Sequence, residues 1–257
     1  MIIFSDFDNT LYRHGDPATT AENFQAVKKF RQAGHKFCLA TGRSLSSIEN
    51  AFSTDNLPNY RQCFDYLVLD NGAICMRPNG GVILEELIPQ ATAQKIYASI
   101  VQKYDKNHDF QLVAYYGSSE HPEIGASLTK MRLWNRNNAL AIQITDEINQ
   151  RFGNEVKAFA AYDVIPTRIP WLEDGDFTAF IDIAPVKAGK ENTIARLVQQ
   201  SFPSEKVITV GDDTNDISMI RQFDGYAVAN AVPLVLENTS TGHIVNNVAA
   251  LIEWLLN

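Results

Sequence analysis

Three consecutive apolar residues, Ile2-Ile3-Phe4, open the chain and read as a strand buried on both faces, as in a parallel sheet. Phe24, Val27 and Phe30 follow at helical spacing; Thr20 is placed to cap a helix beginning near Ala21, and Ala33-Gly34 to end it. His35 to Ala40 then reads as a second strand, completing a βαβ unit. A helix around Ser46 to Ser53, a loop with Pro58 and a third buried strand at Tyr66 to Leu69 come next. After Arg77-Pro78-Asn79-Gly80-Gly81 the strands alternate instead of running solidly apolar, which predicts a second domain from residue 83. Within it, Gln90 to Tyr104 reads as helix, Phe110 to Tyr116 and Leu140 to Ile144 as strands, and Asp146 to Phe152 as a short helix. Val156 to Tyr162 and Phe177 to Ile183 complete an antiparallel sheet with helices on one face. Lys130 to Arg136 interleaves cations with apolar residues and reads as a solvated helix with one buried face, a surface that meets a substrate being the alternative. From Pro185 the first pattern returns, with a helix from about Glu191 to Gln200, strands at Lys206 to Val210 and Tyr226 to Ala229, and a closing helix from about Asn247 to Leu256. The expected fold is α/β: a doubly wound parallel-sheet core formed by residues 1–82 and 185–257, with an inserted α+β domain at 83–184.

A chain of 257 residues with 45% hydrophobic and 20% charged content can bury a sizeable core. Its formal net charge of −8 argues against nucleic acid or an anionic membrane as the main partner. A small anion stays within reach, because a bound metal and a few local cations outweigh the global field at short range. Ser5, Asp6 and Asp8 interrupt the N-terminal apolar run, so no signal peptide is expected, and no apolar stretch approaches the length of a membrane span. Cytoplasmic location, no obligate protein partner and three buried, reduced thiols (Cys38, Cys63, Cys75) complete the expectation.

Chemistry collects at predicted strand ends. Asp6 and Asp8, at alternate positions beyond the first strand, point to one side, where two carboxylates tolerate each other around a divalent cation or with one proton retained. Thr41-Gly42-Arg43 follows the second strand with a hydroxyl and backbone N–H groups suited to an anion, Lys190 lies near a helix start, and Gly211-Asp212-Asp213-Thr214-Asn215-Asp216 follows a later strand. Each piece alone is weak. A doubly wound sheet gathers such ends along one edge, and together they supply a carboxylate nucleophile, oxygen ligands for a metal, a hydroxyl and a lysine for phosphate oxygens, and a second carboxylate to move protons. That set describes phosphoryl transfer through an aspartyl-phosphate.

On these residues the sequence resembles the haloacid dehalogenase superfamily, and within it the Cof-type phosphatases with a C2 cap. Asp6-Phe7-Asp8-Asn9-Thr10 resembles the family's Asp-x-Asp-x-Thr motif, Thr41-Gly42-Arg43 its second motif and Gly211 to Asp216 its fourth; Asn71-Gly72-Ala73 and Asn230-Ala231 match habits of the Cof group. The resemblance implies a magnesium-dependent phosphatase acting on small phosphomonoesters, sugar phosphates first among them. It makes Asp6 the nucleophile and a magnesium ligand, and Asp8 the acid/base and, through its backbone carbonyl, a ligand. Thr41, Gly42, Lys190 and Asn215 would bind phosphate, Asp212 would complete the metal shell, and Asp216 would support it from behind. The family often has glycine where Asn9 stands, and asparagine is among the residues that best tolerate a left-handed backbone. Family spacing after Ile183-Ala184-Pro185 selects Lys190, with Lys187 the competing amine. Arg132, Trp134, Arg136 and Trp171 are candidates for facing the site, although such residues are more often surface charges or core aromatics. A phosphomutase or phosphotransferase shares the same intermediate. A receiver-like phospho-acceptor module is disfavoured by Asp8 and by the size of the insert.

Overall fold

The computed structural model describes residues 1–104, 110–116, 119–120, 127–162 and 179–257. The chain forms two units, Met1–Glu85 with Gly189–Asn257, and Glu86–Ala188. The first begins with β1 (Ile2–Ser5), α1 (Pro17–Gln32), β2 (Lys36–Ala40), α2 (Leu45–Thr54), α3 (Tyr60–Cys63), β3 (Leu67–Leu69), β4 (Ile74–Met76) and β5 (Val82–Glu85). The second carries α4 (Gln90–Ile96), continued through a π-type turn at Tyr97–Val101 into α5 (Gln102–Tyr104), then β6 (Phe110–Tyr116), β7 (Ser119–Glu120), β8 (Lys130–Asn135), α6 (Asn138–Phe152), β9 (Val156–Tyr162) and β10 (Ala179–Pro185). The first unit resumes with α7 (Lys190–Ser201), β11 (Val207–Gly211), α8 (Ile217–Gln222), β12 (Asp224–Val228), α9 (Pro233–Glu237), β13 (Ile244–Val245) and α10 (Val248–Leu256).

The first unit is built on an eight-stranded sheet in the order β13-β12-β11-β1-β2-β3-β4-β5. Its strands are parallel from β13 to β3, and β4 and β5 add antiparallel at one edge. β1 lies between β11 and β2, and its solid apolar run is explained by burial on both faces. Ile3 joins Phe37, Leu39, Ile208 and Val210 in a core that includes Phe24, Val27 and Phe30 of α1, whereas Ile2 and Phe4 join Cys38, Ile194 and Leu197 in a second core. Each such side chain contributes about 1.5–3 kcal/mol on burial. Helix α1 begins earlier than its apolar spacing alone predicts. Pro17 occupies its first position, where the missing N–H costs nothing, and Asp16 rather than Thr20 caps it by accepting from the Thr19 N–H at 3.0 Å.

The second unit holds an antiparallel sheet, β7-β6-β8-β10-β9, with its own core of Ile96, Met131, Leu133, Ile144, Ile148 and Ile181 among others. Two sequence expectations fail here. Leu140 to Ile144 belongs to α6, which Asn137 caps through the Leu140 N–H and which buries Ala141, Ile144 and Ile148 at helical spacing. Lys130 to Asn135 is strand β8 and not a helix: Met131 and Leu133 enter the core while Lys130, Arg132 and Trp134 take the opposite face. Phe177 and Thr178, at the start of the expected last strand, and Trp171 lie outside the described residues. Cys38 and Cys75 are buried, but Cys63 is partly exposed at the end of α3. Among the described residues no helix is long and apolar enough to cross a membrane.

One turn of the first unit positions several others. After β3, Asp70, Asn71 and Gly72 all take left-handed backbones, with φ of 49°, 55° and 89°. The Asn71 N–H donates to the Thr41 carbonyl at 3.1 Å and the Asp70 N–H to the Arg43 carbonyl at 3.0 Å, so the turn grips the loop after β2. On its other side the Gly72 carbonyl accepts from the Thr193 hydroxyl at 2.6 Å, and a Cβ at Gly72 would lie 2.3 Å from the Gly189 carbonyl oxygen, just before α7. Gly34 has the same φ of 89° with nothing within 4 Å of its missing Cβ. Gly34→Ala is therefore expected to cost about 1 kcal/mol of backbone strain, whereas Gly72→Ala adds a backbone collision and costs about 2–4 kcal/mol. Urea unfolding followed by circular dichroism checks this, and equal midpoints for the two variants would contradict it.

Candidate active site

The order β11-β1-β2 brings three loops together at the carboxyl ends of adjacent parallel strands. Asp6 follows β1, Thr41 follows β2, and Asp212 follows β11. Lys190 arrives from a different direction, at the first position of α7, with its side chain 1% exposed. Its ammonium donates to Asp6 Oδ1 at 2.7 Å and to Asp216 Oδ1 at 2.6 Å. Asp216 Oδ2 accepts the N–H groups of Asp212 and Asp213 at 3.0 and 3.2 Å, so both Asp216 oxygens are committed to holding its neighbours. Asp212 Oδ1 accepts from the Thr10 hydroxyl at 2.7 Å. Among the described residues, no hydrogen bond engages Asp6 Oδ2 or Asp212 Oδ2.

Electrostatics follow from this crowding. Ligand oxygens of Asp6, Asp212 and Asp216 lie within 4.8 Å of one another, all three residues are buried, and one lysine answers them. Burial pushes the Asp6 carboxyl well above its usual range; Lys190 pulls it back, but Asp216, Asp8 and Asp212 push it up again. Asp212 is raised to about 6, first by burial and then by Asp216 and Asp213, against the Thr10 hydrogen bond. Burial alone would lower Lys190, yet Asp216 and Asp6 outweigh it and hold the ammonium protonated. Such a cluster lacks positive charge. Its open oxygens on Asp6 and Asp212 are hard donors, and with no soft ligand in the group the residues fit a hard divalent cation.

Asp8 stands apart from that cluster. Burial raises its carboxyl, but hydrogen bonds from His14 and Arg43 and the charge of Arg43 win, bringing it down to about 2. Asn9 next to it has φ 52°, the left-handed conformation that its side chain tolerates, and its carbonyl accepts from Asn230 Nδ2 at 2.8 Å. Thr41 is buried; its Oγ1 accepts the Arg43 N–H at 3.1 Å, which leaves the hydroxyl proton available to an anion. A Cβ at Gly42 would meet Asn71 Oδ1 at 3.0 Å, and the same oxygen accepts from Asn215 Nδ2 at 3.0 Å, so Asn71 links the second and fourth motifs.

Of the residues singled out by sequence, Asp6, Lys190, Asp212 and Asp216 form one hydrogen-bonded group, and Thr41, Gly42 and Asn215 are tied to one another through Asn71. Lys187 is exposed and belongs to the second unit. There, Arg132 pairs with Asp182 at 2.5 Å and 2.7 Å and lies 4.0 Å from the Phe180 ring centroid. Trp134 is buried and Arg136 exposed. Sequence reasoning used Arg43 and Thr10 only as letters of motifs and gave His14 no role, because their contacts to Asp8 and Asp212 are made by folding. A cavity of about 830 Å³ opens beside α1, lined in part by Tyr12, Phe24, Val27, Leu57 and Pro58. None of the clustered acids lines it, so it holds none of the reacting groups.

The chain is similar in structure to a HAD/COF-like hydrolase from Plasmodium vivax, with a TM-score of 0.75 and 21% identity over 99% of this chain and 95% of that one. It is similar also to TM0651 from Thermotoga maritima, with a TM-score of 0.71 and 21% identity over 98% of this chain and 96% of that one. A third neighbour is the HAD subclass IIB sugar phosphatase BT4131, with a TM-score of 0.69 and 16% identity over 99% of this chain and 97% of that one. These likenesses establish the fold. The sequence profile of the haloacid dehalogenase-like hydrolases matches residues 3–255, from the first residues of β1 to the end of α10, and the chain belongs to that family of enzymes.

Proposed function

We propose that the protein is a magnesium-dependent phosphatase that hydrolyses small phosphomonoesters, with sugar phosphates the leading substrate class, through a phosphorylated Asp6. The observation that carries this reading is the buried group of Asp6, Lys190, Asp212 and Asp216, which joins a carboxylate with an open oxygen to a fixed cation and a second open carboxylate. The sugar-phosphatase neighbour supports the substrate class. The net charge of −8 supports a small metabolite over nucleic acid or a membrane surface, and a cytoplasmic enzyme without an obligate protein partner accords with it.

In this mechanism an oxygen of the Asp6 carboxylate attacks phosphorus and the bond from phosphorus to the ester oxygen breaks; Asp8, ionised at rest, takes up a proton from solvent and passes it to the departing oxygen. Asp8 then takes a proton from water as that water attacks the phosphorylated Asp6, releasing phosphate and restoring the carboxylate. The Thr41 hydroxyl, the Gly42 backbone, Lys190 and Asn215 hold the phosphoryl oxygens, and Lys190 fixes the attacking carboxylate. Asp6, Asp212 and the Asp8 carbonyl would hold magnesium, which supplies charge neutralisation at the phosphoryl group; Asp216 would support them from behind.

Phosphate release across sugar phosphates, nucleotides and phosphorylated cofactors tests the reading. Turnover is expected with magnesium and lost in excess chelator; turnover that survives the chelator would remove the metal from it. The metal also has a readout independent of activity. With Asp6 and Asp212 raised above their unfolded values, the metal-free protein binds more protons folded than unfolded. Their contribution to stability is thus largest below about pH 4; the part from Asp212 is lost as pH rises through about 6, and the part from Asp6 as pH rises beyond the usual carboxylate range. Magnesium should therefore raise the melting temperature strongly at pH 7.5 and little at pH 5, and an equal rise at both would contradict the assignment.

Lys190→Met is expected to lower turnover by about 10²–10³ under saturating magnesium. It should lower thermal stability as well, because two buried carboxylates lose their cation. Lys187→Ala should be mild in both. A collapse of the Lys187 variant beside a near-normal Lys190 variant would transfer the role.

A further inference from the structure

Arg43 is the most tightly held cation on the Asp8 side of the site, and the reaction outlined above leaves it without a task. Its Nε donates to Asp8 Oδ2 at 2.8 Å and its Nη2 to Asp8 Oδ1 at 2.7 Å, a two-pronged pair in which each prong meets a different oxygen. Its Nη1 donates to Ser47 Oγ at 3.3 Å and to the Ser47 carbonyl at 3.5 Å, anchoring the guanidinium to α2. The guanidinium also lies 5.3 Å from the centroid of the Phe7 ring, which is itself stacked between Tyr12 and Phe52. Its own backbone is fixed at both ends, by Thr41 Oγ1 and by the Asp70 N–H.

Asp8 needs such a brace. Its side chain is 35% exposed, so without a partner its carboxyl would turn freely in water. His14 reaches Asp8 Oδ1 at 2.8 Å from a half-exposed position and does not engage the other oxygen. Proton transfer to a leaving oxygen and from a water depends on direction and on distances of a few tenths of an ångström. We propose that Arg43 is the positioning residue for Asp8: it fixes the direction in which Asp8 delivers and takes protons and does not itself bind the transferring phosphoryl group. This rests on the phosphatase reading above. The geometry favours it over a phosphate-binding role because both prongs of the guanidinium are already committed to Asp8, and Nη1 to Ser47.

The test compares wild type, Arg43→Met, Arg43→Lys, Asp8→Asn and the double variant Asp8→Asn/Arg43→Met, as full-length protein with magnesium. Each is given p-nitrophenyl phosphate, whose leaving group needs no proton, and phenyl phosphate, whose leaving group benefits from one. A positioning role predicts that Arg43→Met lowers kcat on phenyl phosphate by about 10²-fold, in the range of general acid–base catalysis, with KM little changed. The first burst of nitrophenolate should persist while its steady state slows, Arg43→Lys should recover part of the loss, and the double variant should be no slower than Asp8→Asn alone. A large rise in KM with equal losses on both esters would make Arg43 a phosphate ligand and overturn the proposal; so would additive losses in the double variant, or no loss at all. Should Arg43→Met fail to fold, Ser47→Ala and Arg43→Lys carry the same comparison, and a nitrophenolate burst slowed as much as turnover of phenyl phosphate in both would overturn it. A wild-type protein that gives neither burst nor phosphate release refutes the phosphatase reading and this inference with it, whereas normal wild-type turnover with the wrong pattern in the variants refutes the inference alone.

Discussion

A buried ammonium between two buried carboxylates sets the terms for the rest of the first unit. Lys190 sits at the first position of α7, where the positive end of the helix dipole disfavours a cation, so helix preference does not explain its place. Asp6 and Asp216 do. Either carboxylate would be costly to bury alone, and the ammonium likewise, but together each makes the others tolerable. The three groups come from β1, from the start of α7 and from the loop after β11, so the interaction is also a tie between distant segments of chain. Asp216 passes the constraint on, because its second oxygen holds the backbone of Asp212 and Asp213 and so fixes the presentation of Asp212.

The acids of the two motifs thereby fall into opposite environments, with the division running through the first motif. Asp6 and Asp212 are held in a place short of positive charge, whereas Asp8, two residues from Asp6, is over-supplied by Arg43 and His14. Carboxylates of one chemical type are driven apart in behaviour by what surrounds them, which is the condition for giving them different tasks. Asn71 holds a comparable position among the neutral groups: its backbone grips Thr41, and its side-chain oxygen faces Gly42 and receives Asn215.

Much of this was legible in the amino-acid sequence, for identifiable reasons. The central strands are buried on both faces, so Ile2-Ile3-Phe4 and Val207 to Val210 announce themselves, and the residues just beyond them fall at the crevice by topology. Leu140 to Ile144 was misleading because a five-residue apolar window fits either period; only its continuation to Ile148 and the Asn137 cap settle it as helix. Lys130 to Asn135 misled in the opposite sense, since a cation in a strand reads as a solvated position, although Lys130 is buried and Arg132 is paired with Asp182. Contacts that close only on folding were the least visible. Arg43 and Asp8 are 35 residues apart, and Thr10 and Asp212 are 202 apart, so neither pairing has a local signature.

The insertion of one unit into the other has a consequence for how the protein is made. β1 has two neighbours in its sheet: β2, which follows within forty residues, and β11, paired through Ile2 and Val207, which is some two hundred residues away. At ribosomal speeds of about 5–20 residues per second, the nascent chain exposes one edge of this buried strand for roughly 10–40 seconds. For nearly all of that time the acids of the first motif lack the lysine that will neutralise them, because Lys190 is translated only after the whole second unit has emerged. The second unit has its own core and can begin to bury it in that interval. The first unit has to wait for the segment from Gly189 onward, so translation order makes the entire inserted unit a delay between synthesis of the central strand and completion of the sheet around it.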